Sequence, residues 1–185
     1  MLDYRTHAHP LKIGILSDTH GEIDPRILTH VADCDIKIHA GDIMGKSILD
    51  ALEASGGDII AVKGNNDLPA TWGAADRHAV QSLPQQALVR LPGGDVVVVH
   101  GHLHGGNHIS HQHLRECFPE VRLIVYGHSH HLVHDQETTP WVMNPGAAGK
   151  TRTHGGPSCI ILHIKSEQWH IQTIREPEPL TSGFA

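Results

Sequence analysis

At 185 residues and a formal net charge of −6, the chain can bury a core as one domain and is too acidic to coat nucleic acid. Aromatic residues make up 4% of it, which argues against a base-stacking platform, and no apolar run approaches the about 18 residues of a membrane span. The N-terminal MLDYRTHAHP lacks the regions of a signal peptide, and Cys34, Cys117 and Cys159 are odd in number and widely spaced, as in a reduced, cytoplasmic protein with buried thiols.

Taken in order, Ile13, Ile15 and Leu16 form an apolar run broken only by Gly14, the pattern of a short buried strand. It stops at Ser17-Asp18-Thr19-His20-Gly21, placing a carboxylate and an imidazole just past a strand end, where open α/β sheets hold ligands. Alone, that pair is more commonly a helix cap and a surface histidine. A helix follows from about Asp24 to Ala32, with Asp24 as its cap and Pro25 in its first turn. Ile36–His39 reads as a strand ending in Ala40-Gly41-Asp42, Lys46–Ala54 as a helix, and Ile59–Val62 as a strand ending in Gly64-Asn65-Asn66-Asp67. This alternation predicts parallel strands whose polar tips emerge along one edge of a sheet.

In the second half, Ala87–Leu91 and Asp95–Val99 flank Pro92-Gly93-Gly94, a hairpin signal, and the second strand runs into His100-Gly101-His102-Leu103-His104. A short helix near Ile109–Phe118 precedes a strand, Leu123–Tyr126, that ends in Gly127-His128-Ser129-His130. Trp141–Met143, Ser158–Ile164 and Trp169–Ile174 read as further strands, with Asn144-Pro145-Gly146 a turn after the first. A single domain over residues 1–185 is expected, its motifs within about 12–146 and its tail, 176–185, loosely ordered.

Five predicted strands thus end in Asp18-Thr19-His20, Gly41-Asp42, Gly64-Asn65, His100-Gly101-His102 and Gly127-His128-Ser129-His130. Each tip joins a metal-capable side chain to a glycine that permits close backbone approach. Mixed oxygen and nitrogen donors suit Mn, Fe, Co, Ni or Zn better than Ca or Mg, and the absence of cysteine from the set argues against a structural zinc knot. Of the 19 histidines, His7, His9, His78, His154 and His170 read as surface residues, as do His104, His108, His111 and His113. His39 is placed behind Asp42 or against a ligand.

At these residues the sequence resembles the calcineurin-like metallophosphoesterase superfamily, whose pattern is D-x-H, G-D, G-N-x-[DE], G-H or H-G-H, and G-H-x-H. All five blocks occur in family order, and the short length, Asn65-Asn66-Asp67 and Asn144-Pro145-Gly146 look most like its small bacterial and archaeal phosphodiesterase branch. The resemblance implies a four-layer α/β/β/α sandwich, two mixed sheets face to face with helices outside and metals at the strand tips. It implies two divalent ions, manganese first among them. Asp18, His20, Asp42 and His130 would hold one, and Asp42, Asn65, His100 and His128 the other, with Asp42 as the bridge. The implied activity is hydrolysis of small phosphodiesters by a metal-bridging hydroxide, with Asn66 and His102 toward the substrate. At Asn66 the chain departs from the superfamily's protein phosphatases, which carry a proton-donating histidine there. A neutral amide can hydrogen-bond a phosphate oxygen but cannot deliver a proton near pH 7. The expected partner is a small phosphoester, with neither membrane nor nucleic acid, and a homo-oligomer stays open. The alternative is a catalytically silent scaffold of the same fold, like the retromer subunit of eukaryotes. Such a scaffold need not keep the full ligand set, which is present here.

Overall fold

The second strand, β2 (Leu11–Leu16), is covered on both faces, and its alternation decides what covers each. Leu11, Ile13 and Ile15 join a core between two sheets, while Leu16 and the bare backbone of Gly14 face a helical layer. Full burial of each such isoleucine stabilises the fold by about 1.5–3 kcal/mol relative to exposure.

The computed structural model describes residues 2–7 and 9–178. The other strands are β1 (Leu2–Asp3), β3 (Ile36–His39), β4 (Asp58–Ala61), β5 (Gln86–Leu91), β6 (Gly94–Val99), β7 (Leu123–Val125), β8 (Leu132–Asp135), β9 (Trp141–Pro145), β10 (Ser158–Lys165) and β11 (Gln168–Arg175). The helices are α1 (Pro25–Val31), α2 (Lys46–Ala54), α3 (Pro69–Trp72), α4 (Arg77–Ser82) and α5 (His111–Cys117). One sheet has five strands in the order β11-β10-β2-β3-β4, the other six in the order β1-β5-β6-β7-β9-β8. Both are mixed. The expected parallel run β2-β3-β4 is present, as are the parallel pairs β6/β7 and β7/β9 and the antiparallel hairpin β5/β6.

Three apolar clusters give the layers their order. Ile13, Ile38, Val62, Val96, Val125 and Ile160 pack between the sheets. Ile27, Val31, Ile48, Leu52, Trp72 and Val80 pack helices α1 to α4 on the outer face of the five-stranded sheet. Leu114 of α5 packs with Val97, Val99, Ile124 and Val142 on the outer face of the other. The chain is therefore the expected α/β/β/α sandwich.

Helix α1 starts where its sequence dictates: the Asp24 carboxylate accepts the Arg26 N–H at 2.9 Å, and Pro25 needs no partner at N1. The segment expected as a helix over Ile109–Phe118 is shorter, since the Ser110 hydroxyl caps it and a 3-10 turn over Gly106–His108 precedes it. Four elements have no clear sequence signal. Helices α3 and α4 are too short to show periodicity, β1 has two residues, and β8 is a half-exposed edge strand. Of the tail, residues 176–178 are tied down: Glu176 N–H donates to Pro157 O at 2.8 Å, and Arg26 Nη1 to Pro177 O at 3.0 Å. Residues 179–185 of the expected loose tail lie outside the described residues. Among the described residues no helix is long and apolar enough to cross a membrane.

Gly14 is where β2 and α1 touch, because a Cβ there would lie 2.8 Å from Val31 Cγ1 and 2.9 Å from Val31 Cβ. Gly14→Val should therefore destabilise the protein by about 1–3 kcal/mol through overpacking, read as a lower urea midpoint. An unchanged midpoint would show that α1 shifts freely on the sheet.

Candidate metal centre

The site is built at one edge of the sandwich, from loops that leave five parallel strands. β2, β3 and β4 deliver Asp18 and His20, Asp42, and Asn65 with Asn66; across the inter-sheet core, β6 and β7 deliver His100 and His102, and His128 with His130. The loops are laced together by backbone bonds, among them Asp18 N–H to Gly41 O at 3.0 Å, His20 N–H to Asp42 O at 2.9 Å and Gly127 N–H to His100 O at 3.1 Å. Five of the seven expected ligands have left-handed backbones: Asp18 (φ 53°), His20 (48°), Asp42 (55°), His128 (67°) and His130 (60°). This region costs a non-glycine residue about 1–2 kcal/mol, and such strain concentrates at functional sites. It turns each side chain inward immediately after the strand ends.

All seven side chains meet. His20 Nε2 lies 3.1 Å from His130 Nε2 and 3.9 Å from Asp18 Oδ1, and His130 Nε2 is 3.3 Å from the same oxygen. On the other side, His100 Nε2 is 3.1 Å from Asn65 Oδ1, and His128 Nδ1 is 2.9 Å from that oxygen. Asp42 Oδ2 stands between the groups, 3.8 Å from His20 Nε2 and 3.4 Å from His100 Nε2. Tetrahedral coordination with metal–nitrogen bonds near 2.05 Å has edges of about 3.4 Å, so these spacings match donors sharing an ion.

Backbone carbonyls select the ring nitrogens. His100 Nδ1 donates to Ala40 O at 2.8 Å and His130 Nδ1 to Thr151 O at 3.1 Å, which leaves both Nε2 lone pairs facing the cluster. His39 is fully buried and acts one layer further back. Its Nε2 donates to Thr19 Oγ1 at 3.0 Å and its Nδ1 accepts the Gly41 N–H at 3.2 Å, so it braces the loops of Asp18 and Asp42 and contacts neither carboxylate.

The electrostatics call for a cation. Asp18 Oδ1 is buried without any hydrogen-bond partner, and burial pushes the Asp18 carboxyl up to about 7. Burial opposes ionisation of Asp42 as well, but His100 and Asn66 hold it below the usual carboxylate range. His100 is raised against its own burial by Asp42 and Asp18. Burial lowers His20 and His128, and burial with Arg152 and His20 lowers His130 to about 4, which keeps their lone pairs free. Buried carboxylates, neutral imidazoles, an amide oxygen and an orphaned Asp18 oxygen together fit divalent ions of the Mn-to-Zn series.

The structure adds to the expected roles at several positions. Asn66 is turned to Asp42, with its N–H on Oδ1 at 2.8 Å and its Nδ2 on Oδ2 at 2.7 Å. His102 is half-buried beside the cluster, its ring centroid 5.4 Å from that of His100, and its Nδ1 has no partner. His111, expected on the surface, is bonded instead, to Asp135 Oδ2 at 2.7 Å and to the Tyr126 hydroxyl at 3.2 Å. His7, His9, His78, His154 and His170 are exposed as expected. Two contributors lie outside the seven expected ligands. Asp67 is fully buried and accepts from Met44 N–H, Gly64 N–H and Trp72 Nε1, fixing the turn of Asn65. Arg152 follows β9 at a distance, and its Nη2 comes within 3.2 Å of His130 Nε2.

A two-sheet α/β sandwich with carboxylate, imidazole and amide donors converging at its strand tips has the architecture of a metallohydrolase. Residues 11–167 match the family model of the calcineurin-like phosphoesterase superfamily domain, and the chain belongs to that family. It is 27% identical over 175 residues to a probable metallophosphoesterase of Methanothermobacter thermautotrophicus, covering 91% of this chain and 94% of that protein. It is 28% identical over 171 residues to a phosphodiesterase of Methanocaldococcus jannaschii, covering 86% and 96% respectively. Among solved structures, the zinc complex of Vps29 from Entamoeba histolytica shares the fold, with a TM-score of 0.71 at 17% identity over 91% of this chain and 100% of that one.

If Asp42 serves two ions, Asp42→Asn should lower bound manganese at both positions, whereas His131→Ala and His134→Ala should leave it unchanged. Retention of both ions in Asp42→Asn, measured by elemental analysis of purified protein, would refute the shared-carboxylate arrangement. Metal affinity should also fall as pH drops from 7 to 5, because an ion must then displace the proton on Asp18, whose metal-free value is raised to about 7. One displaced proton corresponds to about tenfold per pH unit, and calorimetry in buffers of different ionisation enthalpy should register its release.

Proposed function

We propose that the protein is a dinuclear metal-dependent phosphodiesterase acting on small phosphodiesters. The observation that carries this reading is the meeting of seven donor side chains in two groups on either side of Asp42, with the buried Oδ1 of Asp18 left without a hydrogen-bond partner. Asp18, His20, Asp42 and His130 would hold one ion, and Asp42, Asn65, His100 and His128 the other. When bound, a pair of divalent ions supplies a phosphate clamp and lowers the pKa of water toward neutrality.

The chain's own groups supply orientation. Thr151 O fixes the His130 ring, and the next residue, Arg152, brings its Nη2 within 3.2 Å of His130 Nε2. From there it can pair with a nonbridging oxygen of a phosphodiester anion, which a planar guanidinium does well. Asn66 steadies the carboxylate between the two donor groups. Neither Asn66 nor His102 is suited to protonate a leaving oxygen. The amide has no acidic proton near pH 7, and burial, with His100 and His128 nearby, lowers His102 from the ordinary histidine range, against its charged form. The candidate donor set is complete in the sequence, which supports the enzyme over a silent scaffold of the same fold.

Two measurements test the reading. With manganese present, aryl phosphodiesters should be cleaved much faster than alkyl ones, and log kcat should fall steeply with leaving-group pKa. A flat dependence with chemistry rate-limiting would overturn the absence of a general acid. Arg152→Ala should raise KM for a diester about 10–100-fold with unchanged metal content, the effect of one lost charge-assisted hydrogen bond. An unchanged KM would remove Arg152 from the substrate.

A further inference from the structure

A second group of metal-type donors stands apart from this centre. His104 lies in the loop after β6, and His113 and Cys117 are one turn apart on α5. One nitrogen of each imidazole and the Cys117 sulfur all lie within 4.8 Å of one another. We propose that His104, His113 and Cys117 form an additional binding site for one divalent ion of the zinc class, with solvent completing the coordination.

The positions suit that role. Residues four apart on a helix share one face, so His113 and Cys117 present their donors side by side, with Nε2 and Sγ 3.6 Å apart. A tetrahedral ion with a sulfur at about 2.3 Å and a nitrogen at about 2.05 Å spaces those two donors by about 3.6 Å. The remaining spacings close by rotation of half-buried and exposed side chains. Local structure brings the third donor in. The His104 N–H donates to Gly101 O at 2.8 Å, and its ring stands edge-on to Phe118 with centroids 5.3 Å apart. On the helix, the His113 N–H is fixed by the Ser110 hydroxyl at 3.3 Å.

The donor chemistry narrows the ion. Two imidazoles and a thiolate, with no carboxylate in the group, disfavour Mg and Ca and favour zinc, cobalt or copper. Cys117 is also the exposed cysteine of the three; Cys34 and Cys159 are buried, and burial pushes their thiols up to about 11 and about 12. Among them, Cys117 is the one a cation can reach from solvent. An ion here would fasten the loop that carries His102 to α5, tying the wall of the catalytic cluster to the outer helix.

The test is titration of the reduced protein with Co2+, using a phosphine reductant that offers no thiol. The catalytic donors include no sulfur, so a thiolate-to-cobalt charge-transfer band in the near ultraviolet reports this site alone. The wild type should develop the band. Cys117→Ser should lose it together with one bound Co2+ per chain, and His104→Ala and His113→Ala should weaken it at least tenfold in Co2+ concentration. Asp42→Asn should keep it while losing Co2+ at the catalytic cluster. A wild type without the band, a band that survives Cys117→Ser, or imidazole variants that bind as tightly as wild type would each overturn the site.

Discussion

The carboxylate of Asp42 is the contact through which the two halves of the molecule meet. It leaves β3 in the five-stranded sheet, takes two hydrogen bonds from Asn66, and lies 3.4 Å from His100 of the six-stranded sheet. Gly64 backs directly onto it, since a Cβ at Gly64 would sit 2.1 Å from Asp42 Oδ1. No side chain fits there without displacing the carboxylate. The face-to-face packing of the sheets, the left-handed turn at Asp42 and the register of β3 against β4 all have to agree for this geometry to exist.

That agreement has an energetic cost. Five left-handed ligands at about 1–2 kcal/mol each, a buried Asp18 and several lone pairs facing one another oppose folding. The inter-sheet core offsets them, with a continuous set of fully buried aliphatic side chains from β2, β3, β6, β7 and β10. The same opposition makes a cation a structural partner as well as a chemical one, because positive charge at the cluster relieves Asp18 and satisfies the lone pairs of His20 and His130. His39, Thr19 and Asp67 belong to this support. They touch no substrate-facing atom, yet they hold the loops whose ends do.

The position of Arg152 shows how the β9–β10 loop extends the site. Through Thr151 it sets the tautomer of His130, and through Arg152 it brings a permanent positive charge beside His130 Nε2. The loop thus both orients a candidate ligand and brings a cation to the edge of the cluster. The His104, His113 and Cys117 group sits on the outer side of the His100–His104 segment, so one stretch of chain faces the central cluster and the outer helix in turn.

The strands, the order β2-α1-β3-α2-β4 and the five polar tips were legible in the amino-acid sequence, because apolar runs, caps and glycines are local signals. The seven candidate donors follow from the resemblance of those tips to the superfamily pattern, and the structure brings their side chains together. Local signals do not reach what depends on contact between distant segments. α3, α4 and the edge strand β8 are too short or too exposed for periodicity, and β1 takes its place only by pairing with β5. The roles of His39, Asp67, His111 and Arg152 were likewise not fixed by their neighbours along the chain. The sequence by itself determined which residue types stand at the strand ends: carboxylates, an amide and imidazoles. Only the tertiary structure set the distances themselves, with Asp42 3.8 Å from His20 and 3.4 Å from His100, Asn66 on both Asp42 oxygens and Arg152 beside His130, because they depend on the packing of two sheets whose strands lie far apart along the chain.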